Sequence, residues 1–361
     1  MDLTASNPTQ CLPGYPHEEI RNAFGQVRDF TYCPDPLGSH TARSAVAKYY
    51  RDRGVFISLD QLALTASTSE AYSYLFKLLC DAGDELLTPL PSYPLFEYLA
   101  AFESVRTIPY RLRYDGTWYL DMASLRARMN RRTKAIIIVN PNNPTGTFLS
   151  QEERSELLNL ARQFSLPIIS DEVFGDYIIT PGAPISTTLA ENDSVLTFSL
   201  NGLSKTAGMP QMKLGWIAIG GPAQARQEAR QRLEITADTY LSVGTPVQHA
   251  LSDLLQIGAV LQQQLLQRIK QNIAIMDNLT KGTAIQRLYL HGGWSSILQL
   301  PRTLTEEDWV RGLLQEENVL VQPGYFFDME SEAYIVLSLI TSPDEFREGV
   351  GRICSYVSRH S

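Results

Sequence analysis

The sequence predicts an α/β fold followed by a smaller α+β unit, and three observations carry that expectation. From about residue 40 to about 245, short apolar runs alternate with helical periodicity, the pattern of a mostly parallel sheet flanked by helices. Runs such as KAIIIV at 134–139 are continuous and rich in β-branched residues, as strands buried on both faces are. After a long helical stretch, short strands and helices resume from about residue 285.

The elements follow in chain order. ARSAVAKYYRDRG (42–54) reads as a helix ended by Gly54. QLALTAS (61–67) reads as a strand, and SEAYSYLFKLLCDAG (69–83) as a helix closed by Gly83. DELLTPL (84–90) and RTIPYRL (106–112) read as strands, and Met122–Met129 carries a short helical period. KAIIIVNP (134–141) is a buried strand, and SQEERSELLNLARQFS (150–165) is a helix with Ser150 as its N-cap. LPIISDEVF, SVLTFSL and LGWIAIGG are three more buried strands. From TPVQHALSDLLQ to IAIMDNLTKG the pattern is long and helical without a sustained heptad, so one or two helices are expected and not a coiled coil. Strands WSSILQL, NVLVQPG and AYIVLSLI and helices EEDWVRGLLQEE and SPDEFREGVGRICSYVSR complete the chain.

Composition excludes several function classes. At 361 residues the chain is long enough for about two domains, and 44% apolar with 19% charged residues is an ordinary globular balance. A net charge of −8 with no basic run argues against nucleic acid or an anionic membrane as partner. The start MDLTASNPTQ lacks the features of a signal peptide, and no apolar run reaches the ~20 residues of a membrane span. Cys11, Cys33, Cys80 and Cys354 are scattered, as reduced thiols of a cytoplasmic protein would be. The five histidines show no metal-ligand spacing, so no metal site is expected.

In open α/β sheets ligands bind beyond the carboxyl ends of the strands, so the residues after each apolar run matter most. After LALTA come Ser67, Thr68 and Ser69, opening a helix; they suit either an N-cap or a bound phosphate. After ELLTPL comes Tyr93 in PSYP, and after AIIIV comes NPNNPTG (140–146), a stiff turn offering side-chain amides. After PIIS come Asp171 and Glu172; a carboxylate there needs a partner, whether a structural ion pair or a functional one. After VLTFSL comes the loop with Lys205. Hydroxyls, an aromatic ring, an amide, a buried acid and a lysine are the set a phosphorylated pyridine aldehyde needs.

NPNNPTG, SDEVF (170–174) and GLSKTAGMPQMKLGW (202–216), in that order and spacing, resemble the class I/II aminotransferases of the fold-type I pyridoxal-phosphate enzymes. Weaker matches are TASTSEA, GDELLTPLPSY and YCPDPLGSHTARSAVAKYY, and the resemblance covers nearly the whole chain. It implies a three-layer α/β/α large domain with a mostly parallel seven-stranded sheet over residues 32–250. Residues 1–31 and 251–361 would form the small α+β domain. It implies pyridoxal 5'-phosphate as cofactor, with Lys205 as the Schiff-base lysine (the internal aldimine) and proton carrier. Asp171 would pair with the pyridinium, Asn143 bond the ring hydroxyl, Tyr93 stack on the ring, and Thr68, Ser69 and Lys213 bind the phosphate. Tyr32 would reach the phosphate of a partner subunit, which implies a homodimer. The implied reaction is ping-pong transfer of an amino group between an amino acid or amine and a keto acid.

Three departures from the family pattern stand out. Lys213 replaces a phosphate-binding arginine, keeping the charge and losing the bidentate fork. Phe174 replaces a tyrosine. Val336, in AYIVLSLI, stands where the family places the arginine that grips the substrate carboxylate. Either another arginine, such as Arg21 or Arg302, takes that role, or the substrate is held differently; aspartate is then expected to be a poor donor. A pyridoxal-phosphate lyase, decarboxylase or racemase uses the same residues and is the alternative. A regulator fused to a DNA-binding domain is disfavoured, because the chain starts almost at the SNPT arm.

Overall fold

The structure is a computed structural model and describes residues 1–183, 185–331 and 333–361. Its strands are β1 Leu62–Thr65, β2 Glu85–Leu90, β3 Arg106–Tyr114, β4 Trp118–Leu120, β5 Thr133–Val139, β6 Leu149–Ser150 and β7 Ile168–Asp171. They continue with β8 Ile185–Ser186, β9 Thr197–Gly202, β10 Gly215–Gly220, β11 Gln286–Arg287, β12 Ser295–Gln299, β13 Gln322–Pro323 and β14 Tyr334–Ser338.

The main sheet has the order β1-β10-β9-β7-β5-β2-β3-β4. β9, β7, β5, β2 and β3 are parallel neighbours, while β10 is antiparallel to both β1 and β9. β1 therefore points the same way as the parallel set. The sheet carries one strand more than the seven expected. The extra one is β4, a three-residue hairpin return that pairs antiparallel with β3.

Alternation along the strands divides the sheet's burial between two faces. Ala135 and Ile137 of β5 pack with Leu86, Phe198 and the helices Thr68–Leu79 and Ala223–Tyr240. Ile136 and Ile138 pack on the other side with Leu157, Leu160 and Ala161 of the helix Gln151–Phe164. That helix starts as expected at Ser150, whose hydroxyl accepts from Glu153 N while Glu153 returns to Ser150 N, a reciprocal cap. A third apolar cluster joins Leu64 and Trp216 to the long helix and to Ile335 and Leu337.

The long helical stretch is one helix, Thr245–Thr280, of 36 residues. The expected boundary at residue 250 falls inside it. Strands β11, β12, β14 and β13 form a separate antiparallel sheet. The N-terminus knits into this region: Leu3 N donates to Leu320 O and Ser338 N to Leu3 O. Among the described residues no helix is long and apolar enough to cross a membrane.

Candidate functional site

The topology gathers the candidate residues along one edge of the main sheet. β1, β2, β5, β7 and β9 all point the same way, so their carboxyl ends share that edge. Thr68 and Ser69 follow β1, Tyr93 follows β2, Asn143 follows β5, Asp171 ends β7, and Lys205 follows β9. Lys213 lies two residues before the antiparallel β10, which begins at the same edge.

Lys205 sits in the one-turn helix Leu203–Thr206, entered from β9 without a break. Asn201 organises this turn: its Oδ1 accepts from Gly202 N at 2.7 Å and from Thr206 Oγ1 at 2.6 Å. The Tyr177 hydroxyl donates to Lys205 O at 2.7 Å. Burial pushes the Lys205 ammonium down to about 8, and the Asp171 carboxylate pulls it part of the way back. The Nζ lies 4.7 Å from the centroid of the Trp294 ring and 5.7 Å from that of Phe174.

Two adjacent acids have different fates. Asp171 accepts from the Tyr72 hydroxyl at 3.0 Å and from Val173 N at 3.2 Å. Burial raises its carboxyl to about 6 against the lowering effect of those donors and of Lys205. Glu172 turns away into the protein. It accepts from the hydroxyls of Ser170, Ser199 and Thr188 and from Leu189 N, all within 2.9 Å, and burial still raises it to about 7. Asp171 is thus the acid left facing a cation, and Glu172 is the one that ties β7 to β9 and the 188–189 loop.

The other candidates have defined surroundings. Asn143 Oδ1 accepts from Ser295 Oγ at 3.1 Å, which leaves its Nδ2 as the donor. Its loop lines a small crevice with Phe174, Gly292, Gly293, Trp294 and Ser295, none of which carries a charge. Tyr93 is exposed on the turn after β2, where Ser92 N donates to Phe327 O. Thr68 and Ser69 occupy the first turn of a 12-residue helix capped by Ser67, whose side chain accepts from Glu70 N. First-turn amides have no acceptor within a helix, so this end can receive an anion.

Lys213 is exposed and left-handed, with φ 51°. Two residues on, Gly215 pairs with Thr65, and a side chain at Gly215 would meet the Ser67 backbone at 3.2 Å. Lys213 is therefore close in register to the start of the Thr68–Leu79 helix, and its unfavourable backbone conformation marks a constrained position. Tyr32 does not join this group. It is exposed and lines a separate cleft of about 500 Å³ with Cys33, His40, Tyr74, Ser242 and His249.

Val336 lies in β14 opposite Ile297 of β12 and is buried with Trp118, Leu288, Ile297 and Phe327. A closed apolar cluster occupies this position. Arg21 is paired with Glu18 on an exposed helix face, and Arg302 is exposed. No histidine, cysteine or acidic cluster among the described residues could hold a metal ion.

Sequence reasoning missed Tyr72, Tyr177 and Trp294, all of which touch the Lys205–Asp171 pair or its turn. Tyr72 lies one turn after Thr68 and is buried, a position the helical period around Thr68 could have revealed. Trp294 follows two glycines at the start of a strand, a close-approach signal that HGGW carries.

The family model described as aminotransferase class I and II matches residues 1–353. The glutamate-pyruvate aminotransferase AlaA of Haemophilus influenzae is 28% identical over 335 residues, covering 91% of this chain and 82% of that protein. The Escherichia coli K12 protein of the same name is 32% identical over 225 residues, 62% of this chain and 55% of its own length. The structure of an alanine aminotransferase from Pyrococcus furiosus superposes with a TM-score of 0.89 at 26% identity, covering 99% of this chain and 92% of that one.

Proposed function

The chain belongs to the aminotransferase class I and II family, and on that premise we propose that it moves an amino group between an amino donor and a keto acceptor by a ping-pong cycle at Lys205, with pyridoxal 5'-phosphate as cofactor. The observation that carries this reading is the desolvated pair at the sheet edge: a lysine brought down to about 8 beside an aspartate brought up to about 6. The donor set fits the cofactor. A part-buried carboxyl that accepts from the Tyr72 hydroxyl and Val173 N has acceptor capacity left for a ring N–H⁺. An amide with a free Nδ2 suits a ring hydroxyl, and a helix start with two hydroxyls suits a phosphate.

When bound, the cofactor supplies a carbonyl for an amine and a protonated ring that withdraws electrons from the substrate's α-carbon. The chain's own residues do the rest. Lys205, part-neutral near pH 8, would carry a proton on its Nζ to and from the substrate's α-carbon. Asp171 holds a proton on the ring nitrogen, and the Tyr72 hydroxyl fixes the carboxylate's orientation. Asn143 would donate to the ring hydroxyl, Tyr93 would cover the ring, and Thr68, Ser69 and Lys213 would hold the phosphate. Lysine can do so as a point charge, without the planar fork of arginine.

The molecule works as a homodimer, in which the exposed Tyr32 of one copy reaches the phosphate at the other; Phe30 and Tyr32, both more than two thirds exposed, are what such a contact would cover. Residues 32–250 would act as the cofactor-binding domain, with 1–31 and 251–361 as the small domain. Alanine or glutamate as donor and a short keto acid as acceptor are the partners that the named relatives suggest.

The test is Lys205→Ala. The variant is expected to stay folded, with the wild-type unfolding temperature within a few degrees, and to lose all multiple-turnover amino transfer. Sustained turnover in a folded variant overturns the assignment. Release of ammonia or thiol by the wild type without a keto acceptor would instead indicate a lyase.

A further inference from the structure

We propose that Trp294 is a positioning residue for Lys205: the face of its indole holds the lysine ammonium in one place beside Asp171. The proposal rests on the reading of Lys205 as the proton-carrying amine. Its first support is distance. The Nζ stands 4.7 Å from the Trp294 centroid, inside the ~6 Å range in which a cation is attracted to the negative face of an aromatic ring. Trp offers the strongest such face of any side chain, and it accepts no proton, so it can hold an ammonium without competing for its hydrogens.

The second support is how the ring itself is held. Trp294 packs edge-on against Phe174, with centroids 4.9 Å apart, and tilted against Tyr177 at 5.4 Å. Its chain segment is clamped by backbone hydrogen bonds from two loops of the site. His291 N and Gly292 N both donate to Gly146 O, and Gly293 N donates to Tyr177 O. Gly292 is tight enough that a side chain there would meet Tyr177 O at 2.4 Å and Phe148 at 2.6 Å. Three loops (140–146, 172–177 and 291–295) thus lock one indole over one lysine. Immobilised aromatic surface of this kind adds attraction without the cost of ordering it at each turnover.

The other charged and titratable groups at Lys205 are few. Asp171 faces it from β7. The Tyr177 hydroxyl is committed to Lys205 O, Glu172 is turned into its own cage of donors, and Asp176 is bonded to Tyr49 and Arg53. The other ring face within reach of the Nζ is that of Phe174, at 5.7 Å, and it is the same residue in every variant.

The experiment uses the full-length, cofactor-free protein, so its outcome is independent of turnover. Trace acetylation with isotope-labelled acetic anhydride from pH 6 to pH 11, quantified on the Lys205 peptide by mass spectrometry, gives the lysine's titration midpoint. A synthetic lysine peptide added to every sample serves as the reference for reagent reactivity. Trp294→Leu keeps apolar bulk and removes the ring face. Its midpoint is expected to fall by about one pH unit, because the charged form loses its attraction while burial persists. Trp294→Phe keeps a weaker face and is expected to fall by about half as much. If Trp294→Leu does not fold, the downward movement in Trp294→Phe decides. An unchanged or raised midpoint, or a Phe variant that moves as far as the Leu variant, overturns the proposal. Lys205→Ala losing activity while these midpoints stay fixed would leave the amino-transfer reading intact and remove only the role of Trp294.

Discussion

Replacing Asp171 by Asn removes a charge whose burial disfavours the folded state, and the size of the effect follows from the site. The carboxyl lies at the end of β7, and burial raises it from the ordinary 3.8 to about 6. An acid raised in the folded state binds more protons there than in the unfolded chain. Stability therefore falls as pH rises through about 4 to 6 and stays lower above. At about 1.4 kcal/mol per pH unit the displacement is worth about 3 kcal/mol. Asn cannot ionise, so the variant escapes this penalty. Its single acceptor oxygen can keep the Tyr72 hydroxyl bond but then loses the one from Val173 N, an offset that does not vary with pH. Glu172, also raised, contributes in both proteins and cancels in the difference.

The expected result is that the unfolding free energy of Asp171→Asn, measured against wild type by urea titration of the cofactor-free proteins, shifts in the variant's favour by about 2 kcal/mol between pH 4 and pH 7, the larger part of the full displacement. Amino transfer should fall by orders of magnitude in the same variant, so stability and function would move in opposite directions. A stability difference that is flat with pH would refute the desolvation argument, whatever the activity does.

Two further expectations concern binding. Lys213→Ala should weaken pyridoxal-phosphate binding by about tenfold or more, while Lys213→Arg stays within a few-fold, as equilibrium dialysis would show; an Ala variant that binds like wild type removes Lys213 from the phosphate site. The lining of the crevice at Asn143 carries no charge, so the second carboxylate of aspartate, which alanine lacks, meets no cation there. Spectral half-reaction titrations should therefore find aspartate at least about tenfold less efficient than alanine, since each unpaired carboxylate forfeits a charged hydrogen bond. Fast conversion at low aspartate concentration would contradict that.

Most of the fold was legible because its signals are local. Short apolar runs rich in β-branched residues and closed by turn residues, such as Ala135–Val139, read as strands covered on both faces, and the polar residues after them mark the ligand edge. What escaped depends on distant pairings. The helix Ala223–Tyr240 buries only Ala229, Leu233 and Ala237, too thin a stripe in a polar segment to stand out. Tyr72 and Asp171 lie far apart in the chain, as do Trp294 and Lys205, so no spacing rule links either pair. The extra strand β4 arises from a hairpin around Gly116, whose φ of 73° permits the tight return.

The 36-residue helix has a consequence of another kind: it is a ruler. At Gly258 its backbone lies against Ala207, so close that a side chain there would meet the Ala207 Cβ at 2.4 Å, directly beyond the Lys205 turn. Fourteen residues later Asn272 Nδ2 donates to Leu339 O and Thr341 O, just past β14. At 1.5 Å per residue that is about 21 Å of helix between the point that touches Ala207 and the point that holds the segment just past β14. Substitutions on the exposed side of this rod leave the spacing untouched. A single inserted residue between Gly258 and Asn272 would add ~1.5 Å and turn everything beyond it by about 100°. Length in that interval should therefore be far less free to vary than composition.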